Sequence, residues 1–559
     1  MSKVFYEQYD TFCRRGSLMV RVQVLKIKDD MIEMAGVGPK CAPGKNKKMF
    51  ITNEKGDDMP FREFPMPYRN VYDENGKLEA EYTGFRAKLP LYDGAVYRFT
   101  SRRVKKNGQT EIKEQGIRFG RHSRLLNTED SFVKQGSHII RCVDDSISVE
   151  KAGLLLGNSL KHKFNNRLRE EGKEELIAFR SGAEKLKKSG KPIVLISDRV
   201  NMARDNGEAL FKYLMANGYD SEYDIYFAVL KDTPDYERLS RIGKVLDFGS
   251  DEYKEKFLAA DKIITSGFDG WFSNAFGEDY RYMADLYEFD HYFLQHGIIM
   301  NDWSKALNYA NTGFKAFITS AEGEYRSILG ESYGYNEDEV RLTGLARYDY
   351  LEDEHEKLIV IAPTWRKDLA GEVDREHGSR FYSEAIKGSS FHEFYQGLIN
   401  NETLLSAMRD NGYKGEFYLH PSFIANFEDF KGNDLIDVLR DADYNRLFRK
   451  ASILITDYSS VNMDFAYLNK PVIYSQFDRD SFFENHGCES GYFDYERDGF
   501  GPVCTTVQEV TDNIVSLIRN DCRMEQKYIE RTDNFFYYRD RQNCRRIADV
   551  IFGEHQERG

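Results

Sequence analysis

Pro192-Ile193-Val194-Leu195-Ile196-Ser197 is a continuous apolar run, followed by Asp198-Arg199 and a helical stretch from Gly207 to Leu214. A run of this length with no polar face belongs in a sheet covered on both sides. A helix directly after such a strand is the usual crossover to a parallel neighbour. The pattern recurs at Ile225-Tyr226-Phe227-Ala228-Val229, Val245-Leu246 and Ile263-Ile264, with helical segments between. It begins afresh at Lys357-Leu358-Ile359-Val360-Ile361-Ala362-Pro363. From there it runs through Gly415-Glu416-Phe417-Tyr418-Leu419-His420, Ser452-Ile453-Leu454-Ile455 and Pro471-Val472-Ile473-Tyr474. Helices are expected at residues 507–518 and 543–551. Two parallel α/β units in tandem follow, over residues 191–350 and 351–559, with a closing helix in the second. Ligands of open α/β sheets gather at the carboxyl ends of strands, so a cleft between the units is where a site belongs. The Gly-x-Gly dinucleotide fingerprint is absent, which argues against a nicotinamide or flavin.

The first 150 residues carry a different pattern. Leu18-Met19-Val20-Arg21-Val22-Gln23-Val24 and Ala95-Val96-Tyr97-Arg98-Phe99-Thr100 alternate and are rich in β-branched residues. Turn signals at Glu74-Asn75-Gly76-Lys77, Tyr92-Asp93-Gly94 and Lys106-Asn107-Gly108 separate such runs. The expectation is a small antiparallel β domain, a sandwich, with an accessory role. Residues 151–190 turn charged and helical, as a linker helix or a helical pair.

A chain of 559 residues exceeds one ordinary core, and 41% hydrophobic with 31% charged residues makes it globular. The formal charge of −13 argues against broad nucleic-acid binding while leaving room for a local basic cleft. Basic clusters at residues 102–106 and 161–169 read first as solvated faces. The seven cysteines, at 13, 41, 142, 488, 504, 522 and 544, form no CxxC pair, which suits a reducing cytosol better than a disulfide framework or a zinc knuckle. No apolar signal stretch opens the sequence, and no window approaches the roughly 20 apolar residues of a membrane-spanning helix. Any membrane contact is expected to be peripheral.

Three stretches combine strand ends with residues that do chemistry. Ile455-Thr456-Asp457-Tyr458-Ser459-Ser460-Val461 reads as a buried strand, a polar turn and a helix start, where unpaired backbone N–H groups and the Ser459 and Ser460 hydroxyls can hold phosphate or merely cap the helix. Tyr292-Phe293-Leu294-Gln295-His296-Gly297 delivers a histidine at a strand end, and Phe417-Tyr418-Leu419-His420-Pro421 does so again in the second unit. An imidazole near its ordinary pKa of about 6.5 can take a proton from a hydroxyl at neutral pH. A plausible division makes His296 the general base and His420 a donor to a phosphoryl oxygen; the sequence leaves these roles open. Ala362-Pro363-Thr364-Trp365-Arg366-Lys367 offers Arg366 as a two-pronged phosphate ligand and Thr364 as a cap or phosphate contact. Arg347, in Gly344-Leu345-Ala346-Arg347-Tyr348-Asp349, is a further phosphate-capable arginine. Asp457 stands between orienting a histidine and capping the turn, and Asp464 between facing a ribose and holding a loop. Their spacing is no defined metal-ligand set, so neither metal nor cofactor is expected. Ser197, Arg199 and Asn201 are weaker candidates for touching the acceptor.

Together these residues resemble the CDP-glycerol glycerophosphotransferase family of teichoic-acid and capsule polyol-phosphate transferases. The resemblance rests on Gln295-His296-Gly297, on residues 344–349 and 362–366, on His420-Pro421, and on residues 456–460 with Asp464-Phe465-Ala466. Asp540 and Arg545 resemble the family's closing helix start, and the matches span residues 190–552. The resemblance implies a GT-B-like pair of Rossmann-like domains facing a cleft. It also implies transfer of glycerol phosphate or ribitol phosphate from CDP-glycerol or CDP-ribitol to a polyol-phosphate, lipid-linked or glycan acceptor, with release of CMP. The positions of His296 and His420 would be catalytic, and Arg366, Ser459 and Ser460 would face the nucleotide and its phosphates. Peripheral contact with the inner membrane face would follow from a lipid-linked acceptor, and a homo-oligomer is left open. Ile298-Ile299-Met300-Asn301-Asp302-Trp303-Ser304, after the His-Gly pair, looks more like the ribitol-phosphate and capsule branches than the glycerol branch. Two other readings compete: a GT-B glycosyltransferase using a nucleotide sugar, and a noncatalytic nucleotide-binding scaffold.

Overall fold

A computed structural model describes residues 19–40, 47–72, 78–105, 107–128, 130–372, 380–440, 444–486 and 490–553. The expected turn at residues 74–77, together with Lys106, Cys13, Cys41 and Cys488, lies outside them. The fold is mixed α/β with several sheets.

Residues 192–342 build a seven-stranded sheet, all neighbours parallel. In chain order its strands are Ile193–Ser197, Asp224–Val229, Lys244–Asp247, Lys262–Thr265, Asp290–Phe293, Ala316–Thr319 and Val340–Leu342, and in space they run 3-2-1-4-5-6-7. All five residues of the first strand are buried, as its unbroken apolar run requires. The second sheet comprises Leu358–Ile361, Lys414–Tyr418, Ile436–Leu439, Ile453–Thr456, Val472–Ser475 and Val503–Cys504. It is also parallel and runs 3-2-1-4-5-6. The strands Ala316–Thr319, Val340–Leu342, Ile436–Leu439 and Val503–Cys504 are too short for periodicity to announce them.

Helix Val507–Arg519 shows how local chemistry fixes an element. Thr506 and Glu509 form a reciprocal capping box, and Val510, Ile514 and Ile518 recur at helical spacing to bury one face against the second sheet. The closing helix Asn543–Phe552 follows the second sheet in sequence but packs on the first. Cys544, Ile547, Ala548 and Ile551 share a core with Leu210, Phe211 and Leu214. Asp349 caps it, accepting from the Asn543 and Cys544 amides at 2.9 and 2.7 Å.

The N-terminal region is a sandwich of two sheets around one core that includes Val22, Ile32, Ile51, Phe85, Tyr97 and Phe99. Among the described residues its pairing is antiparallel except at one place: Val20–Lys28 runs parallel to Ile117–Ser123, with a register shift between Val22 and Val24. The sandwich is not a bead on a linker. Val24, Val37, Phe64 and Met66 share a buried cluster with Phe293, Tyr309, Phe314 and Phe317 of the first α/β unit. Arg86 clamps Glu339 with two bonds of 2.6 and 2.7 Å across the seam. Residues 151–190 form the helical pair Leu154–Glu170 and Glu175–Ser189, whose Phe164, Leu168, Leu176 and Ala183 pack on Leu258, Tyr282 and Met283. Among the described residues no helix is long and apolar enough to cross a membrane.

Candidate active site

Both sheets reverse strand order beside their first strand, and the loops leaving that strand and the fourth are where open parallel sheets hold ligands. In the first unit this point is built on Asp198, just past the strand Ile193–Ser197. Its Oδ1 accepts from the Gly207 amide at 2.7 Å and Ser266 Oγ at 2.5 Å, and its Oδ2 from the Asp205 and Glu208 amides at 3.0 Å each. Burial pushes this carboxyl up to about 7, with the Asp205 charge adding and the hydrogen bonds opposing. A Cβ at Gly207 would lie 2.6 Å from Asp198 Oδ1, so glycine is needed for that approach. Ser197 is buried beneath this turn, while Arg199 and Asn201 are exposed on it.

His296 follows the strand Asp290–Phe293 on a strained loop. Gln295 has a φ of +63°, a left-handed value costing a non-glycine residue about 1 kcal/mol or more. Three groups hold it there. Asn206 Nδ2 donates to the Gln295 carbonyl at 2.8 Å, and Gln295 Nε2 donates to the Ile318 carbonyl and to Glu324 Oε1. Glu324, fully buried, also accepts from the Ile299 and Ser320 amides at 2.7 and 2.8 Å. Burial pushes its carboxyl up to about 7 against the pull of those bonds. The loop is thus braced from behind, and His296 is presented outward, exposed.

The protein crowded around the imidazole lowers its pKa. Asp205 and a backbone hydrogen bond to Ser266 pull it back up, while Arg199 and Arg347 push it further down. Because the side chain is exposed, the crowding is that of a recess rather than of a core. The net direction favours the neutral ring, the form a base needs. A Cβ at Gly297 would lie 2.7 Å from Ser460 Oγ, which brings the His296 loop of the first unit directly against the Ser460 turn of the second.

Arg347 ties this contact together and is spoken for. Its Nε and Nη2 clamp the two oxygens of Asp464 at 2.6 and 2.8 Å, and Nη1 donates to Asp205 Oδ1 and the His296 carbonyl, both at 2.8 Å. Its own amide donates to Asn206 Oδ1 at 3.0 Å. Its fork is occupied by two carboxylates, which keep it firmly protonated. Asp464 is thereby tied to the first unit. Burial and the Asp205 charge push its carboxyl upward despite Arg347, yet the two-pronged geometry is that of an ion pair.

Arg366 is held in the same way. Nε and Nη2 grip Asp478 at 2.6 and 3.0 Å, Nη2 lies 2.9 Å from Asp457 Oδ2, and Nη1 donates to the Thr364 carbonyl at 2.6 Å. Only 4% of the residue is exposed, and the rings of Tyr458 and Phe482 lie 5.3 and 4.9 Å from its guanidinium carbon. Asp457 caps the turn: Oδ1 accepts from the Thr364 and Tyr458 amides at 2.8 and 2.6 Å. The helix start also differs from expectation. In the helix Val461–Tyr467, the amides of Val461, Asn462 and Met463 already bond Ser459 Oγ, the Ser459 carbonyl and the Ser460 carbonyl, so none of those three points at a ligand. What this turn presents is hydroxyls. Ser459 and Ser460 are half-buried, and Thr364 Oγ1 is buried with no hydrogen-bond partner among the described residues.

His420 ends this row of loops. Its Nδ1 accepts from the Ser422 amide at 3.1 Å, which places the proton of a neutral ring on Nε2 and makes that atom a donor. The ring stacks near-parallel on Trp365 at 6.1 Å. The turn at residues 457–460 therefore links the His296 loop, met at Gly297 by Ser460, to Thr364, bonded to Asp457, and on through Trp365 to His420.

Residues 177–553 match the family model for CDP-Glycerol:Poly(glycerophosphate) glycerophosphotransferase. The chain belongs to this glycerophosphotransferase family. It is similar to the minor teichoic acid biosynthesis protein GgaB of Bacillus subtilis (strain 168), 33% identical over 560 residues, covering 95% of this chain and 59% of that protein. It is also similar to the teichoic acid poly(ribitol-phosphate) polymerase of Bacillus spizizenii (strain ATCC 23059 / NRRL B-14472 / W23), 27% identical over 258 residues, covering 43% of this chain and 38% of that protein. The chain thus spans well under two thirds of the length of these curated relatives. Among solved structures, the wall teichoic acid polymerase TagF aligns at 17% identity with a TM-score of 0.49, covering 71% of this chain and 96% of that chain.

The span matched to the glycerophosphotransferase family contains every candidate site residue, while the β sandwich lies outside it. Sequence reasoning missed Asp198, Asp205, Ser266, Glu324 and Asp478. Asp205 carried a readable signal, being an Asp before a helix start, where it accepts from the Asn206 amide. Glu324 and Asp478 carried none, because each acts on a residue far along the chain.

Proposed function

We propose that this chain transfers glycerol phosphate or ribitol phosphate from a CDP-activated donor to a hydroxyl of a teichoic-acid or capsule-type acceptor, releasing CMP. The observation that carries this reading is His296: exposed, biased toward its neutral form, and braced by Glu324 against the hydroxyl-bearing turn of the other unit. The two parallel units are read as a GT-B-like pair of Rossmann-like domains, over residues 191–350 and 351–559, that share the site. The 3-2-1-4-5-6 order common to both supports that reading.

In this mechanism the acceptor hydroxyl oxygen attacks the donor phosphorus that bears the polyol, and His296 takes the hydroxyl proton. The bond from that phosphorus to the bridging oxygen breaks, and the electron pair leaves with CMP. His420 Nε2–H, with the hydroxyls of Thr364, Ser459 and Ser460, donates to the phosphoryl oxygens as charge builds there. Arg347 and Arg366 act through structure, keeping the loops in register. Cationic support falls to Arg199, whose charge reaches His296, and to Arg380, 4.8 Å over Trp365. A lipid-linked acceptor would place the enzyme on the inner membrane face.

The test is acceptor-dependent CMP release from CDP-glycerol and CDP-ribitol, run beside a set of UDP- and GDP-sugars. Transfer from a CDP-polyol supports the reading. Sugar transfer with no turnover of either CDP-polyol would replace it with a glycosyltransferase, and tight CDP binding without turnover would leave a scaffold.

A further inference from the structure

The β sandwich and the first parallel sheet enclose a recess of about 290 Å³. Its lining includes Tyr287, Phe289 and Asp290, which lead into the strand Asp290–Phe293, and Gly313, Phe314 and Lys315, which lead into Ala316–Thr319. The recess is therefore at the amino edge of the sheet, whereas His296 follows the carboxyl end of that same strand. The 4 residues of Asp290–Phe293 span about 13 Å, so this recess and the candidate active site are separate places.

Its lining carries four cations, Lys26, Lys28, Arg124 and Lys315, and four carboxylates, Glu33, Glu288, Asp290 and Glu339. Three carboxylates of the lining are matched by other cations: Glu33 by Lys88 at 2.8 Å, Glu339 by Arg86 at 2.6 Å, and Glu288 by Arg124 at 2.7 Å and Lys187 at 2.8 Å. That leaves Lys26, Lys28 and Lys315 against Asp290. Lys26 donates to the Gly313 carbonyl at 2.7 Å, a bond that neutralises no charge. Burial pushes the Lys26 ammonium down; Asp290 and Glu33 pull it back and Lys315 pushes it further. Lys262 is lowered too, by burial first, with Asp290 and Asp261 pulling it back and Lys28 and Lys315 pushing it further. Burial is the larger cost at both of these ammonium groups, and an anion bound beside them would offset it.

We infer that this recess binds one phosphodiester unit of a polyol-phosphate chain, as a second hold on the polymer away from its reacting end. The inference rests on the transfer reaction proposed above. Small-molecule sites begin at about 300 Å³, so the recess suits a single polyol phosphate rather than a nucleotide or a folded segment. Its concave shape suits a chain threading in, whereas a flat anionic membrane needs cations that protrude. A hold at two points raises the effective concentration of the chain at the active site and keeps it bound between additions.

The experiment uses the full chain, the charge-reversed pair Lys28→Glu/Lys315→Glu and the milder pair Lys28→Gln/Lys315→Gln, which carries the test if charge reversal unfolds the protein. Calorimetry measures binding of synthetic oligo(glycerol phosphate) and oligo(ribitol phosphate), with inorganic phosphate and anionic phospholipid vesicles as further probes. Oligomer affinity should weaken with salt and fall about tenfold or more on charge reversal, and by a smaller factor in the glutamine pair. Single addition to a one-unit acceptor should stay unchanged while polymer products shorten. Unaltered oligomer affinity in folded variants overturns the inference, as does loss of vesicle binding with oligomer binding intact. Failure of the transfer reading shows separately: the unmodified chain would release no CMP, whereas oligomer binding needs no turnover.

Discussion

A general base must be unprotonated when its substrate arrives, and the surroundings of His296 bias it that way before anything binds. Rate should therefore rise with pH below about 6.5 and be flat above it; a pH–rate profile still climbing through pH 8 would contradict the assignment. Replacing His296 with Ala should cost about 10²- to 10⁴-fold in kcat with the fold intact. His420 makes a different demand, because a donor rather than a base is needed there: His420→Gln should retain more activity than His420→Ala. Glu324 touches no substrate in this account and acts by positioning His296. Glu324→Gln should lower kcat roughly tenfold or more while leaving KM near its original value, since misplacing a reacting group costs rate rather than binding. The histidines were legible in the sequence because each ends an apolar strand. The carboxylate partners of Arg347 and Arg366 were not legible, for a physical reason. An arginine with an open fork and one with an occupied fork carry the same letter, and the occupying carboxylates lie 117 and 112 positions away.

At the scale of elements, the two units share a buried core that joins Ile298, Met300, Leu345 and Tyr348 to Tyr458, Met463, Phe465 and Tyr467, and Arg347 is an ion-paired tie beside it. Removing Arg347 leaves Asp464 and Asp205 facing one another without a cation. Arg347→Ala should destabilise by about 3–5 kcal/mol, read from denaturant unfolding. Arg347→Lys should recover only part of this, because an ammonium cannot grip both oxygens of Asp464. Gly297→Ala should abolish activity, since its Cβ has no room beside Ser460 Oγ. The double variant Gly297→Ala/Ser460→Gly should restore some of it; no recovery would mean that the two loops do not meet during catalysis. Most strands and helices were readable from apolar runs and caps. The docking of the closing helix was not, because its amphipathic face fits either sheet and the choice is made by Asp349 and by Leu210 and Phe211.

At the scale of the whole molecule, the β sandwich is part of one packed body with the first α/β unit. Removing residues 1–150 would expose Phe293, Tyr309, Phe314 and Phe317, now buried against Val24, Val37, Phe64 and Met66. The truncated chain should therefore aggregate or melt at a lower temperature rather than survive as an active core, as thermal unfolding and light scattering would show. Strand alternation made the sandwich legible, but not its attachment, since a β-rich segment ahead of charged helices reads equally well as an independent module. The central claim is that His296 drives transfer from a CDP-activated polyol phosphate. The most direct measurement is acceptor-dependent CMP release, with product analysis, from CDP-glycerol and CDP-ribitol by the unmodified chain and by His296→Ala. The account predicts a polyol-phosphate-extended product and CMP in equal amounts from the unmodified chain, and near-complete loss in the variant. Undiminished release in the folded variant, or no release from either donor by the unmodified chain, would contradict it.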